Sequence, residues 1–146
     1  MLMNDPPRSP AACLKRLAAR ARTLAVVYLV ALFIGTHVPM DPGEFAPSVS
    51  DKWIHFGAYA GLTVLVLTGW ELTIGILEPK HYFAVWFAGV LYGVFDEVSQ
   101  TPVGRSCDMN DWLADVLGIV CGLVAFRLSR AVLHRIVDRT IASPRL

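Results

Sequence analysis

The sequence predicts an all-α membrane protein: four transmembrane helices in an antiparallel bundle, with both termini cytoplasmic. Three observations predict it. Hydrophobic residues make up 55% of the 146 and charged residues only 17%, whereas charged residues are about a quarter of a soluble domain. The apolar residues gather into four separate runs instead of being spread along the chain. Of the 13 lysines and arginines, all but Lys52 and Arg105 fall on one side when the chain is threaded through a bilayer four times. The same figures argue against a disordered chain and a basic nucleic-acid module, since the net charge is only +1. Three cysteines, Cys13, Cys107 and Cys121, leave an odd count with no CxxC and no metal-ligand spacing, which excludes a disulfide scaffold.

The chain opens with a basic segment, residues 1–22, carrying Arg8, Lys15, Arg16, Arg20 and Arg22. The first apolar run, Thr23–Val38, contains no charged residue other than His37 near its end. It reads as an anchor retained in the mature protein, because no small-residue cleavage site follows it closely. The second run is Trp53–Trp70, the third His81–Phe95 and the fourth Trp112–Phe126. A bilayer core needs about 20 apolar residues as helix. These runs are slightly short, so each borrows flanking polar residues and holds them at interface depth. Lipid leaves no partner for unpaired backbone groups, and no run alternates as a strand does, so the spans are helices. A soluble bundle is the rival architecture, but its helices would each carry a polar face, and Leu62–Trp70 has none. Cys121 falls inside the fourth run and reads as a packing residue.

Residues 23–126 are thus the transmembrane domain and residues 127–146 a basic tail, with Arg127, Arg130, Arg135, Arg139 and Arg145. With both ends cytoplasmic the charges follow the positive-inside rule. In the tail, Leu128, Val132 and Ile136 alternate with arginines at helical spacing. Two readings fit: an amphipathic helix on the lipid surface, or a solvated end of the fourth helix.

The outer half then holds eight acids, Asp41, Glu44, Asp51, Asp96, Glu97, Asp108, Asp111 and Asp115. Ionisable groups at membrane depth are costly and face protein or water. In DKWIHFGAY, Asp51, His55 and Tyr59 are four apart and share a helix face. In the third run, Gly89 and Gly93 form a G-x-x-x-G seam that continues to Glu97 and Gln100, so those two point into the bundle. Asp96 is turned about 100° away, toward a loop or a neighbouring helix. In the fourth run, Asp111, Asp115, Gly118 and Gly122 fall on one stripe, carboxylates above a second small-residue seam. The second helix starts at the outer surface, the third ends there and the fourth starts there. Asp51, Lys52, His55, Tyr59, Glu97, Gln100, Arg105, Asp108, Asp111 and Asp115 can therefore share one polar site. Spacing leaves two uses open: a salt-bridge knot that tethers the third loop, or a ligand site.

These three ordered motifs, DKWIHFGAY, FDEVSQ and GRSCDMNDWLADVLGIVCG, resemble the VanZ-like family. The resemblance runs from about Thr36 to Gly122 and carries the family's signature onto Asp51, Lys52, His55, Phe56, Tyr59, Glu97, Gln100, Arg105, Asp108, Asp111, Asp115, Gly118 and Gly122. Asp115 departs from the commoner pattern, in which Asn stands there, and adds a negative charge to the seam. The resemblance implies a small multi-pass protein of the bacterial cytoplasmic membrane. The family's name-giving member is linked to low-level resistance to teicoplanin, a glycopeptide acting on cell-wall precursors outside the membrane.

Three functions are compatible with these residues. The first is binding or modulation of lipid-linked cell-envelope components at the outer leaflet. There Arg105, Lys52 and His55 would meet phosphate, and carboxylates would position those cations or accept from sugar hydroxyls. The partners would be membrane lipids and a lipid-linked cell-wall precursor; no nucleic acid is expected. The second is a membrane-embedded hydrolase or transferase on such a substrate, with His55 as general base, Glu97 as general acid or base and Arg105 stabilising an oxyanion. The third is a small transporter or channel, for which four short helices leave little room. The excess of acid permits a divalent cation at Asp96, Glu97, Asp108 or Asp111, but no spacing is diagnostic of a metal and no cofactor is indicated.

Overall fold

A computed structural model describes residues 9–38, 51–104 and 107–142. Four long helices account for nearly all of them: α1 (Pro10–His37), α2 (Asp51–Ile74), α3 (Pro79–Ser99) and α4 (Met109–Ala142), with a short 3-10 turn at Thr101–Val103. No strand occurs among the described residues. Asp41, Glu44 and Arg105 lie outside the described residues, as does the side chain of Asp51.

Each helix starts and stops for a local chemical reason. Ser9 caps α1, its hydroxyl oxygen accepting from the Ala12 N–H at 3.3 Å, and Pro10 fills the first position, where a missing N–H costs nothing. α2 ends at Gly75, which adopts φ +88° and donates its N–H to the Glu71 carbonyl at 2.8 Å. Glu78 and His81 form a reciprocal capping box at the start of α3, the Glu78 N–H donating to His81 Nδ1 at 2.9 Å. Asp108 caps α4, its Oδ1 accepting from the Asn110 N–H at 2.9 Å.

The helices run up, down, up, down. At one end Arg22 of α1 donates to Thr73 of α2 at 2.9 Å, and Glu71 of α2 pairs with Arg130 of α4 at 2.9 Å. At the other end Thr36 of α1 meets Asp96 of α3, and His55 of α2 meets Asp115 of α4. α2 and α4 therefore run parallel to each other and make the most extensive contact in the molecule. α1 docks on α2, and α3 docks on α4.

The α2–α4 contact rests on two glycines. A Cβ at Gly118 would overlap the Phe56 carbonyl, and one at Gly122 would lie 2.7 Å from the Ala60 carbonyl oxygen. Across the α3–α4 seam, a Cβ at Gly89 would stand 2.9 Å from Ile119 Cδ1. All four seam glycines thus mark close helix approach. Two apolar clusters fill the interior. Leu32, Tyr59 and Ile119 lie nearer the polar end, and Leu67, Leu77, Val85 and Phe126 nearer the basic end.

α1, α2 and α4 are long and apolar enough to cross a membrane. At about 1.5 Å per residue, the 24 residues of α2 span roughly 36 Å, beyond the ~30 Å hydrocarbon core. α3 has the length, at 21 residues, but its apolar stretch is bounded by His81 and Tyr82 at one end and by Asp96 and Glu97 at the other. The outward surface is a lipid surface in composition. Leu24, Val27 and Val30 on α1 and Leu117 and Val124 on α4 are exposed side by side. Cys121 is among the exposed positions, so it faces outward instead of packing. The position follows from Gly118 and Gly122, which claim the inward face of the same helix.

α1 and α4 pass through the expected boundaries at 22/23 and 126/127 without a break. The tail continues α4 as far as Ala142. Its first turn belongs to the bundle: Arg127 stacks over the Tyr82 ring at 5.1 Å, and Arg130 holds Glu71.

The seam predicts a specific sensitivity. Gly118→Ala forces α2 and α4 apart and destabilises the purified protein by about 1–3 kcal/mol, the usual range for overpacking. Gly57→Ala, on the same α2 but with open space at its Cβ, is neutral or slightly stabilising. Thermal unfolding of both variants in detergent checks the contrast.

Candidate functional site

The end of the bundle away from the basic ends of α1 and α4 carries the buried ionisable groups. Their depth follows from helix register. His55 sits one turn into α2, Asp96 and Glu97 one turn before the end of α3, and Asp115 nearly two turns into α4. Each is inside the ring of helices. His55 is 4% exposed, Glu97 2%, and Asp96 and Asp115 0%.

His55 and Asp115 form the central contact. The imidazole Nδ1 lies 2.9 Å from Asp115 Oδ1. Gly93 makes room for the acid: a Cβ there would stand 3.3 Å from Asp115 Oδ2. The carboxylate is thereby held against α3, one turn before Glu97. Donor atoms of His55, Glu97 and Asp115 all come within 4.8 Å of one another. Three helices thus converge on one small volume. Glu97 Oε2 accepts from the Asp108 N–H at 2.9 Å, which ties the start of α4 to α3. Glu97 Oε1 and Asp115 Oδ2 are buried without a hydrogen-bond partner among the described residues.

Asp96 faces α1. Thr36 donates its hydroxyl to Asp96 Oδ1 at 2.9 Å, and His37 Nδ1 is 3.9 Å from the same oxygen. His37 Nε2 is also 3.0 Å from Ser99 Oγ. Of the two directions expected for Asp96, the neighbouring helix is the one observed. Thr36 has no site role in the sequence reading. The signal available was the Thr-His pair ending the first apolar run, which becomes informative only once α1 is known to run alongside α3.

Lys52 lies on the rim. Its ammonium donates to Asp108 Oδ2 at 3.2 Å and to Asp111 Oδ1 at 3.0 Å. Asp108 is therefore a helix cap and an ion-pair partner together. The Asn110 N–H, followed by the Lys52 ammonium, holds its carboxyl below the usual carboxylate range. A lowered carboxyl stabilises the fold above its unfolded pKa, and that contribution disappears as pH falls through the lowered value. The rim clamp is thus intact at neutral pH. Gln100 is buried at the C-terminal end of α3, its N–H donating to the Asp96 carbonyl at 3.1 Å.

Tyr59 and Tyr92 lie beneath this cluster. Tyr59 is one turn below His55 on α2, and Tyr92 one turn below Asp96 on α3, with ring centroids 6.0 Å apart. Both hydroxyls are buried without a partner among the described residues. The two rings also wall an apolar cleft of about 270 Å³ that Leu29, Leu62 and Val85 help to line. Exposed Val26 stands on its wall, so the cleft reaches the bundle surface. Tyr92 has no role in the sequence reading, because a tyrosine in an apolar run looks like any core aromatic.

Of the expected site residues, the fold gathers His55, Tyr59, Glu97, Gln100 and Asp115 inside, and Lys52, Asp108 and Asp111 at the rim. The metal-type grouping differs from the all-carboxylate set that the acid excess permits. Glu97 is common to both, but its companions are His55 and Asp115, because Asp96 turns to α1 and Asp108 and Asp111 turn to Lys52. Chemically the arrangement offers a carboxylate-oriented imidazole, a second carboxylate with an open oxygen, and two phenols above an apolar cleft.

The VanZ/LLP1 family model matches residues 25–130 of the chain. No curated protein and no solved structure matches the chain.

A double-mutant cycle on His55→Ala and Asp115→Ala measures the central contact. The expected coupling is about 1–2 kcal/mol, toward the upper end for polar pairs between membrane helices. The equivalent cycle on the rim pair of half-exposed Lys52 and Asp111 gives a smaller, salt-sensitive coupling. Denaturant unfolding of the single and double variants reads both.

Proposed function

Because the chain belongs to the VanZ/LLP1 family, we propose that it is a multi-pass protein of the bacterial cytoplasmic membrane that binds or modulates a lipid-linked component of the cell envelope. In this reading α3 is a fourth span, and both termini are cytoplasmic. The basic ends of α1 and α4 obey the positive-inside rule, and the His55–Glu97–Asp115 cluster opens at the outer leaflet. α3 lacks an uninterrupted apolar stretch of span length because Asp96 and Glu97, which it brings to the site, fall within it.

One observation carries the proposal: a buried polar cluster stands directly above an apolar cleft, with Tyr59 and Tyr92 between them. That is the outline of an amphiphile. A hydrocarbon chain fits the cleft, and the two phenols and the cluster are left to meet a polar head. Carboxylates accept from sugar hydroxyls, and Lys52 at the rim offers a cation to phosphate. Occupying such a component, or changing access to it, is the route by which glycopeptide susceptibility would alter.

A catalytic reading has its own support. The Asp115-oriented imidazole of His55 beside Glu97 has the form of a general base held by a carboxylate, with a second proton carrier in reach. In that case the protein is a hydrolase or transferase on the same lipid-linked substrate.

Expression in a teicoplanin-sensitive bacterium tests the proposal. The wild type is expected to lower susceptibility, and Glu97→Gln and His55→Ala to lose the effect at equal membrane abundance. Equal protection by all three proteins would remove the cluster from the function. Turnover of a purified lipid-linked precursor that Glu97→Gln abolishes would instead select the enzyme.

A further inference from the structure

A cluster rich in carboxylates is a poor host for a phosphorylated head, and in this one two carboxylate oxygens are without a hydrogen-bond partner among the described residues. Asp115 Oδ1 is matched by the His55 imidazole, and Glu97 Oε2 by the Asp108 N–H. The second oxygen of each carboxylate is buried and unmatched among the described residues. A carboxylate buried with an open oxygen is expensive unless a cation or a proton meets it. The two carboxylates come from different helices, yet one oxygen of each lies within 4.8 Å of the other and of a His55 ring nitrogen.

We propose that His55, Glu97 and Asp115 form a binding site for a single divalent transition-type cation, Zn²⁺ or Mn²⁺. The donor set is one imidazole nitrogen and two carboxylates, which suits these ions. Ca²⁺ takes six to eight oxygens and Mg²⁺ a largely hydrated octahedron, so neither suits a buried site with one nitrogen donor and two carboxylate donors. Three protein ligands leave coordination positions open, the pattern of a site that receives a further ligand rather than a closed structural one.

Supporting geometry comes from the residues around the ligands. The 2.9 Å approach of His55 Nδ1 to Asp115 Oδ1 already sets two of the three ligands face to face. Gly93 allows Asp115 Oδ2 to lie against α3 on the side of Glu97. Asp108 fixes the Glu97 carboxylate by one oxygen and leaves the other. The inference builds on the reading of this cluster as the ligand site and supplies its missing charge: a bound dication would offset two carboxylates and present positive charge to a phosphate or sugar oxygen.

Purified full-length protein in detergent is stripped with chelator, then dialysed against micromolar ZnCl₂ or MnCl₂, and bound metal is counted by mass spectrometry. The expected result is about one equivalent per chain. Glu97→Gln and Asp115→Asn, both near-isosteric, should weaken affinity by at least about tenfold. Glu78→Gln, at the opposite end of the bundle, should bind as the wild type does. Helical circular dichroism and size-exclusion profiles confirm that each variant is folded. Less than about a tenth of an equivalent on folded wild type, or undiminished binding by both site variants, overturns the proposal. Binding of a polyprenyl-phosphate probe in nanodiscs, measured with and without the same metal, separates the two readings. Lipid binding that ignores a bound metal leaves the metal site in place and overturns its role in presenting charge to the lipid head. Metal binding with no lipid binding supports the metal site and removes the lipid reading.

Discussion

α2 and α4 meet backbone against backbone, and the rest of the molecule is arranged around that approach. Only glycine at positions 118 and 122 leaves room for the Phe56 and Ala60 carbonyls. Between membrane helices there is no hydrophobic drive to association, because lipid is as apolar as leucine; close packing and polar contacts must supply it. The seam does so directly. It also fixes the register of the two helices, which sets His55 level with Asp115 and Glu71 level with Arg130. A slip of one residue would turn Asp115 about 100° off the interface and into lipid.

Once that pair is set, α1 and α3 lie against it, and each brings a polar group to the same end. Glu97 arrives beside Asp115 through the gap left by Gly93, while Thr36 arrives on Asp96. The apolar cleft beneath is a consequence of the same arrangement. α2 touches α3 only lightly, so the space between α1, α2 and α3 is lined by Leu29, Leu62 and the two tyrosines instead of being filled. Lipid-facing leucines and valines carry no penalty in a bilayer, which lets so thin a bundle hold so many buried acids.

Much of this was legible in the chain. Four apolar runs became four helices, because hydrocarbon and backbone hydrogen bonding leave little else. The stripe Asp111, Asp115, Gly118 and Gly122, and the face shared by His55 and Tyr59, follow from helical periodicity alone, and the fold presents both inward. The ends of α1 and α4 were harder to read. Their basic turns look like separate segments by composition, yet the backbone needs only helix-forming residues to continue, and it does. Asp96 was undecided because a residue turned off the main stripe has several possible neighbours, and α1 gives no sequence signal of lying beside α3.

The sequence by itself determined the class: apolar length, the glycine spacings and the one-sided distribution of arginine and lysine are local properties, and local rules read them. Which acid meets which partner was decided only by tertiary structure. The five carboxylates described at one end could pair with Lys52, a histidine, a hydroxyl or each other in many ways, and spacing ranks none of them. The crossing of α2 and α4 chooses. It sends Asp108 and Asp111 to Lys52 at the rim, Asp96 to Thr36, and Asp115 to His55 beside Glu97, because the close approach at Gly118 and Gly122 fixes the register that sets these groups side by side.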